Sequence, residues 1–120
     1  MTDLRKRLPC VINVLGTEYS ISIRNKNSDA KLETLNGYTD TTTKEIVLHE
    51  IHDDSLALMD QFAFQVKVAR HEIVHAFLHE SGLDYCSIGS DSWAINEEMV
   101  DWFAIQSPKI FKTYKELGIL

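Results

Sequence analysis

With 120 residues, 44% of them apolar, the chain has the size of one compact domain spanning residues 1–120. A formal charge of -6 and a pI near 5.2 oppose the long basic stripe that a phosphate backbone requires, so nucleic acid is not an expected partner. Cys10 and Cys86 stand far apart with no C-x-x-C, and read as reduced thiols of a cytoplasmic protein rather than a zinc knuckle or a disulfide framework.

The opening "RKRLPCVINVLG" pairs basic residues with an apolar run, but the run is short, is interrupted by Asn13 and lacks a small-x-small cleavage site. It reads as a strand behind a solvated terminus, and no stretch approaches the roughly 20 apolar residues of a membrane span. Val11–Leu15 and Tyr19–Ile23 are rich in β-branched and aromatic residues, and Gly16-Thr17 between them suits a two-residue hairpin turn with glycine first. "NKNSDAKLETLN" has no clear period and is expected as a loop or short helix. A second strand pair follows, in which Tyr38 and Glu45–His49 flank a turn at Asp40, Thr41 and Thr42. The first half is therefore expected to be a small antiparallel sheet.

The second half changes to helical period. From about Ser55 to Ser81, Phe62, Val66, Ala69, Ile73 and Phe77 recur at spacings of four and three, with Asp54 or Ser55 as N-cap and Gly82 past the end. A second stripe through Phe64, Val68, His71, His75 and Leu78 makes this helix apolar on more than one face. Gly82–Ser92 reads as a loop, "SWAINEEMVDWFAIQ" as a second helix, and "SPKIFKTYKELG" as a third, with Ser107 as cap and Pro108 in its first turn. Strands followed by helices indicate an α+β domain.

One helix carries the chemistry. His71, Glu72 and His75 form H-E-x-x-H, and residues four apart share a helix face, so the two imidazoles can converge on one ion. On the next helix Glu97 and Asp101 are again four apart, and they share their face with apolar Val100 and Ala104. That phase favours Glu97 over the adjacent Glu98 as a third ligand.

The pair H-E-x-x-H and N-E-x-x-x-D, spanning His71 to Asp101, resembles the gluzincin branch of zinc metallopeptidases. A closer likeness is to the small ImmA/IrrE-type metallopeptidases of phages and mobile elements, whose E-x-x-A-[ND]-x-F-A segment is matched by "EEMVDWFA" with Val100 in place of alanine. The two hairpins also resemble the sheet of those proteins. The resemblance implies a minimal zincin-like fold and one zinc per chain, held by His71, His75 and Glu97 with water in the fourth position. Glu72, about 100° around the helix from His71, would be the general base on that water. Asp101 would fix a ligand histidine, His71, through its second ring nitrogen. The substrate would be a peptide or protein, such as a regulatory protein, held by "KEIVLHE" at the edge of the cleft.

The oxyanion-stabilising group is open among Tyr85, His79 and Tyr114. Metzincins are excluded, because Leu78 and Ser81 stand where that pattern needs glycine and histidine. His49 and His52 read as surface residues at a strand end, Cys86 as a loop thiol, and Trp93 and Trp102 as packing residues. Two rival functions share the ligands: a non-catalytic binding module whose zinc is closed by His79 or Cys86, and a hydrolase of a non-peptide substrate.

Overall fold

The structure is a computed structural model that describes residues 3–51, 60–84, 92 and 95–120. Four strands, β1 (Cys10–Val14), β2 (Thr17–Arg24), β3 (Gly37–Asp40) and β4 (Glu45–His49), form one sheet. Two long helices follow, α1 (Gln61–Glu80) and α2 (Glu97–Leu117). The chain is thus α+β, a small sheet followed by a helical half, and no helix among the described residues is long and apolar enough to cross a membrane.

The sheet is mixed, which corrects the antiparallel expectation. Its order is β1-β2-β4-β3: each hairpin is antiparallel, but β2 and β4 join them in parallel, with Ile21 beside Ile46 and Ile23 beside Leu48. The reason lies in β4, where Ile46, Val47 and Leu48 are all fully buried. A strand that is apolar on both faces belongs inside a sheet. The second hairpin therefore inserts with β4 inward and leaves the polar β3 at the edge, so "KEIVLHE" does not form the cleft edge.

The first hairpin turns at Leu15-Gly16, not at Gly16-Thr17. Both residues have positive φ, 51° and 95°, the turn whose twist matches that of the flanking strands. The Asn13 side chain accepts a hydrogen bond from the Gly16 N–H at 2.8 Å, and Thr17 joins β2 opposite Val14. In the second hairpin the Asp40 carboxylate accepts from the N–H groups of Thr42 and Thr43 at 2.9 and 3.2 Å. The stretch between the hairpins contains a 3₁₀ turn, Ala30–Glu33, that buries Leu32.

The helix α1 lies across a core of Val14, Tyr19, Ile21, Ile46 and Leu48. It buries Gln65, Val68, Ala69, Glu72 and Ala76, one stripe at helical spacing. This stripe falls between the two expected ones, and Phe62, Phe64 and Phe77 remain exposed. Small residues win the inner face because the helix sits close to the sheet: a Cβ on Gly37 would meet Val68 Cγ1 at 2.9 Å. Asp60 caps α1, accepting from the Ala63 N–H at 2.8 Å; the expected caps Asp54 and Ser55 lie outside the described residues. At the other end the buried Tyr19 hydroxyl donates to Glu80 at 2.8 Å, and Lys44 pairs with the same carboxylate oxygen at 2.7 Å.

The expected second and third helices are one. Proline at position 108 has no N–H for the carbonyl of Ala104, four residues back, which ordinarily ends or kinks a helix. Arg70 of α1 supplies the missing donor, its Nε lying 2.6 Å from the Ala104 oxygen, and α2 runs on to Leu117 and a left-handed Gly118. Trp102, expected as a packing residue, is 52% exposed and rests edge-on against Phe103; Trp93 lies outside the described residues.

Arg70→Leu leaves the Ala104 carbonyl without this donor and is expected to lower stability by about 1–3 kcal/mol in denaturant titrations. In a Pro108→Ala background, where residue 108 regains its N–H, the same change is expected to cost less; equal losses in both backgrounds would break the link. Asp40 gives a pH dependence. Its hydrogen bonds, first from the Thr42 hydroxyl and then from the backbone of Thr43 and Thr42, hold its carboxyl down from 3.8 to about 2. A carboxyl lowered by folding stabilises above its unfolded value and loses that contribution as pH falls through the folded one. Asp40→Ala is thus expected to lower the melting temperature at neutral pH and to flatten its decline between pH 3.8 and about 2.

Candidate metal centre

The buried stripe of α1 faces the sheet, and a rotation of one residue takes the helix surface toward α2. Glu72 lies on the first of these surfaces, and His71 and His75 lie on the second. α2 crosses there, its start fixed by Asn96, whose side chain accepts from the Met99 N–H at 2.9 Å. Val100 and Ala104 of α2 are fully buried, and with that face turned inward Glu97 and Asp101 meet the two imidazoles.

His71 Nε2 is 3.2 Å from His75 Nε2 and 2.9 Å from Glu97 Oε2, and His75 Nε2 is 3.1 Å from Glu97 Oε1. The His71 Nδ1 lies 3.2 Å from Asp101 Oδ1, which assigns the ring proton to Nδ1 and leaves a lone pair on Nε2. In that tautomer Nε2 faces a carboxylate and a second imidazole, an arrangement of electron-pair donors that a cation between them would satisfy. Ligands about 2.0–2.1 Å from a tetrahedral ion stand roughly 3.3 Å apart, close to the separations found. His71, His75 and Glu97 could hold a metal ion, and among the described residues no other His, Cys, Asp or Glu joins them.

Asp101 is itself held. Lys67, one turn before His71, places Nζ 2.7 Å from Asp101 Oδ1, and chiefly this contact keeps the Asp101 carboxyl below its ordinary range. The carboxylate is therefore charged when it receives the His71 N–H.

Glu72 is 7% exposed, a carboxyl between helix and sheet. The Thr39 hydroxyl of β3 lies 2.9 Å from both Glu72 Oε1 and the Glu72 carbonyl oxygen. Burial pushes the Glu72 carboxyl up from its ordinary value, against the Thr39 hydrogen bond and the two imidazoles, which pull it down. Glu72 and the three convergent residues line a cleft of about 460 Å³ whose opposite wall includes Gly37, Tyr38 and Thr39.

The other candidates are placed elsewhere. His79 Nδ1 pairs with Asp84 at 3.1 Å and does not enter the convergent group, so it does not close the site as a fourth ligand. Tyr114 is on the exposed end of α2 beside Phe111, away from the cleft, and Tyr85 and Cys86 lie outside the described residues. Glu98 is exposed and belongs to no metal-holding group. His49 is at the end of β4, with Nδ1 2.8 Å from the Glu50 carbonyl oxygen, and His52 lies outside the described residues. Sequence reasoning missed Thr39, Lys67 and Gly37. Lys67 had a signal, since it stands four residues before His71 on the ligand face; Thr39 and Gly37 had none, because their place depends on β3 becoming the edge strand.

Compared with protein-family models, characterised proteins and solved structures, the chain matches none. The reading of the centre therefore rests on its own geometry.

Asp101→Asn retains shape but loses the charge facing His71, and is expected to weaken metal binding about 10–100-fold in chelator competition. Unchanged affinity would show that Asp101 does not orient the ligand.

Proposed function

We propose that the protein is a zinc-dependent metallopeptidase of the zincin type, with one zinc per chain held by His71, His75 and Glu97. The observation that carries this reading is the position of Glu72: a buried carboxyl, one residue from a ligand histidine, that opens on the same cleft as the convergent group. A metal-holding trio alone fits a structural site as well as a catalytic one. A trio with an adjacent buried base and no fourth protein donor among the described residues fits hydrolysis better.

Two neutral imidazoles and a carboxylate suit zinc. Bound there, zinc would lower the pKa of a water to about 7 and polarise a substrate carbonyl. Glu72 would accept the proton of the attacking water and return it to the leaving nitrogen, a transfer for which its carboxyl, opening on the same cleft, is placed. The Thr39 hydroxyl fixes the rotamer of that carboxylate from the sheet side. Asp101 and Lys67 hold His71 in the tautomer that presents Nε2.

The edge position of β3 supports a peptide over a small non-peptide substrate. An edge strand leaves one row of backbone groups open to pairing, and an extended chain added there would run along the cleft past Glu72. A cleft this small suits a protein partner that brings its own recognition surface, such as a regulatory protein.

The test compares wild type with Glu72→Gln, both loaded with zinc, on a diverse peptide mixture read by mass spectrometry. Wild type is expected to cleave. The variant is expected to keep its zinc and lose about 10²–10⁴-fold in rate. Equal turnover by the variant would remove Glu72 as the base, and no cleavage by zinc-loaded wild type would favour a binding module.

A further inference from the structure

Where β3 meets α1, contacts recur at the strand's period of two. Thr39 touches Glu72, and a Cβ on Gly37 would touch Val68, one turn earlier on the helix. One step further back along both elements lies a cavity of about 330 Å³, walled by Leu35 and by Phe64, Gln65 and Val68 of α1. It adjoins the metal cleft: a smaller cavity between the two shares Phe64 and Val68 with the first and His71 and Glu72 with the cleft. An unsatisfied group lies in its wall. Gln65 is 4% exposed; its Nε2 donates to the His49 carbonyl oxygen at 3.1 Å, whereas Oε1 accepts no hydrogen bond. A buried acceptor without a donor is costly to keep.

We infer that this cavity is a specificity subsite of the proposed peptidase, a reading on which it rests, and that it takes the side chain of a lysine or arginine. Its walls suit the aliphatic stem of such a side chain, since Leu35 and Phe64 keep 45% and 37% of their surface exposed. Its charge suits the cationic end. Glu33 and Glu50, both exposed, stand at the rim, and none of the described lining residues is lysine or arginine. Gln65 Oε1 and the two carboxylates only accept hydrogen bonds, and a basic side chain only donates them. The spacing fits as well. Gln65 precedes Glu72 by seven residues, about 10 Å along the helix, a length that an extended chain covers in roughly three residues. A substrate paired to the edge of β3 would therefore carry its basic residue about three positions from the cleaved bond, on one side only.

Binding and cleavage test this separately. For binding, the full-length Glu72→Gln chain, chosen so that no peptide is consumed, is titrated by NMR with capped alanine pentapeptides carrying lysine, norleucine or glutamate at the centre. The lysine peptide is expected to shift the Gln65 side-chain amide and to bind about tenfold more tightly than the norleucine peptide. Gln65→Met, Glu33→Gln and Glu50→Gln are each expected to reduce that advantage. Both glutamates are exposed, so their variants test the subsite even if Gln65→Met does not fold. For cleavage, zinc-loaded wild type acts on a diverse peptide mixture, and lysine or arginine is expected about three residues from the cut. Equal binding of the lysine and norleucine peptides overturns the subsite. So does cleavage with no basic preference at that position, which leaves the peptidase reading standing. Lysine-selective binding at Gln65 without any cleavage upholds the basic-side-chain site and removes the peptidase reading instead.

Discussion

The close approach of α1 to the sheet governs both the packing of the core and the placing of the metal-holding residues. Ala69 and Ala76 face the strands, and Gly37 leaves room where any side chain would strike Val68 or the Val47 carbonyl. This proximity lets a short threonine side chain on β3 reach Glu72 and lets Gln65 reach the His49 carbonyl at 3.1 Å. It also sets the helix phase. With Glu72 turned to the sheet, the 3.6-residue period turns His71 and His75 toward α2, so one helix separates the buried carboxyl from the two imidazoles.

The second helix completes what the first begins, and it depends on α1 for its own continuity. Arg70 stands next to His71 in sequence and donates to the carbonyl that Pro108 leaves without a partner. Lys67 holds Asp101 and Asp101 holds His71. The ligand face of α1 is thus bordered by two cations, both of which act on α2, one through its backbone and the other through a carboxylate. Together they set where Glu97 arrives. A carboxylate at 68% side-chain exposure keeps its position because the apolar face behind it, Val100 and Ala104, is fully buried.

The polar contacts of the centre differ in what they contribute. Glu72 is the costly one, a carboxyl with a single hydroxyl partner from the sheet, and its raised pKa expresses that cost. Glu80 is the opposite case on the same helix: Lys44 and the hydroxyls of Tyr19 and Thr17 surround it and hold its carboxyl low. One helix therefore carries a carboxylate that anchors the fold at its end and another, two turns earlier, that the fold leaves poorly satisfied. A poorly satisfied carboxyl is consistent with the role of base proposed for Glu72.

The α+β order, the hairpin at Asp40, the long helix through His71 and the pairing of Glu97 with Asp101 on one face are legible from the residues alone. Each of these follows from a local period or a turn residue, which act within a few positions of the chain. The parallel junction of β2 and β4, the edge position of β3 and the resulting contact of Thr39 with Glu72 emerge only when the chain packs, because strand order reflects burial on both faces. The continuity of α2 is the clearest case. Read alone, Ser107-Pro108 marks the start of a new helix, and it fails to be one because a donor 34 residues away in the chain replaces the N–H that proline lacks.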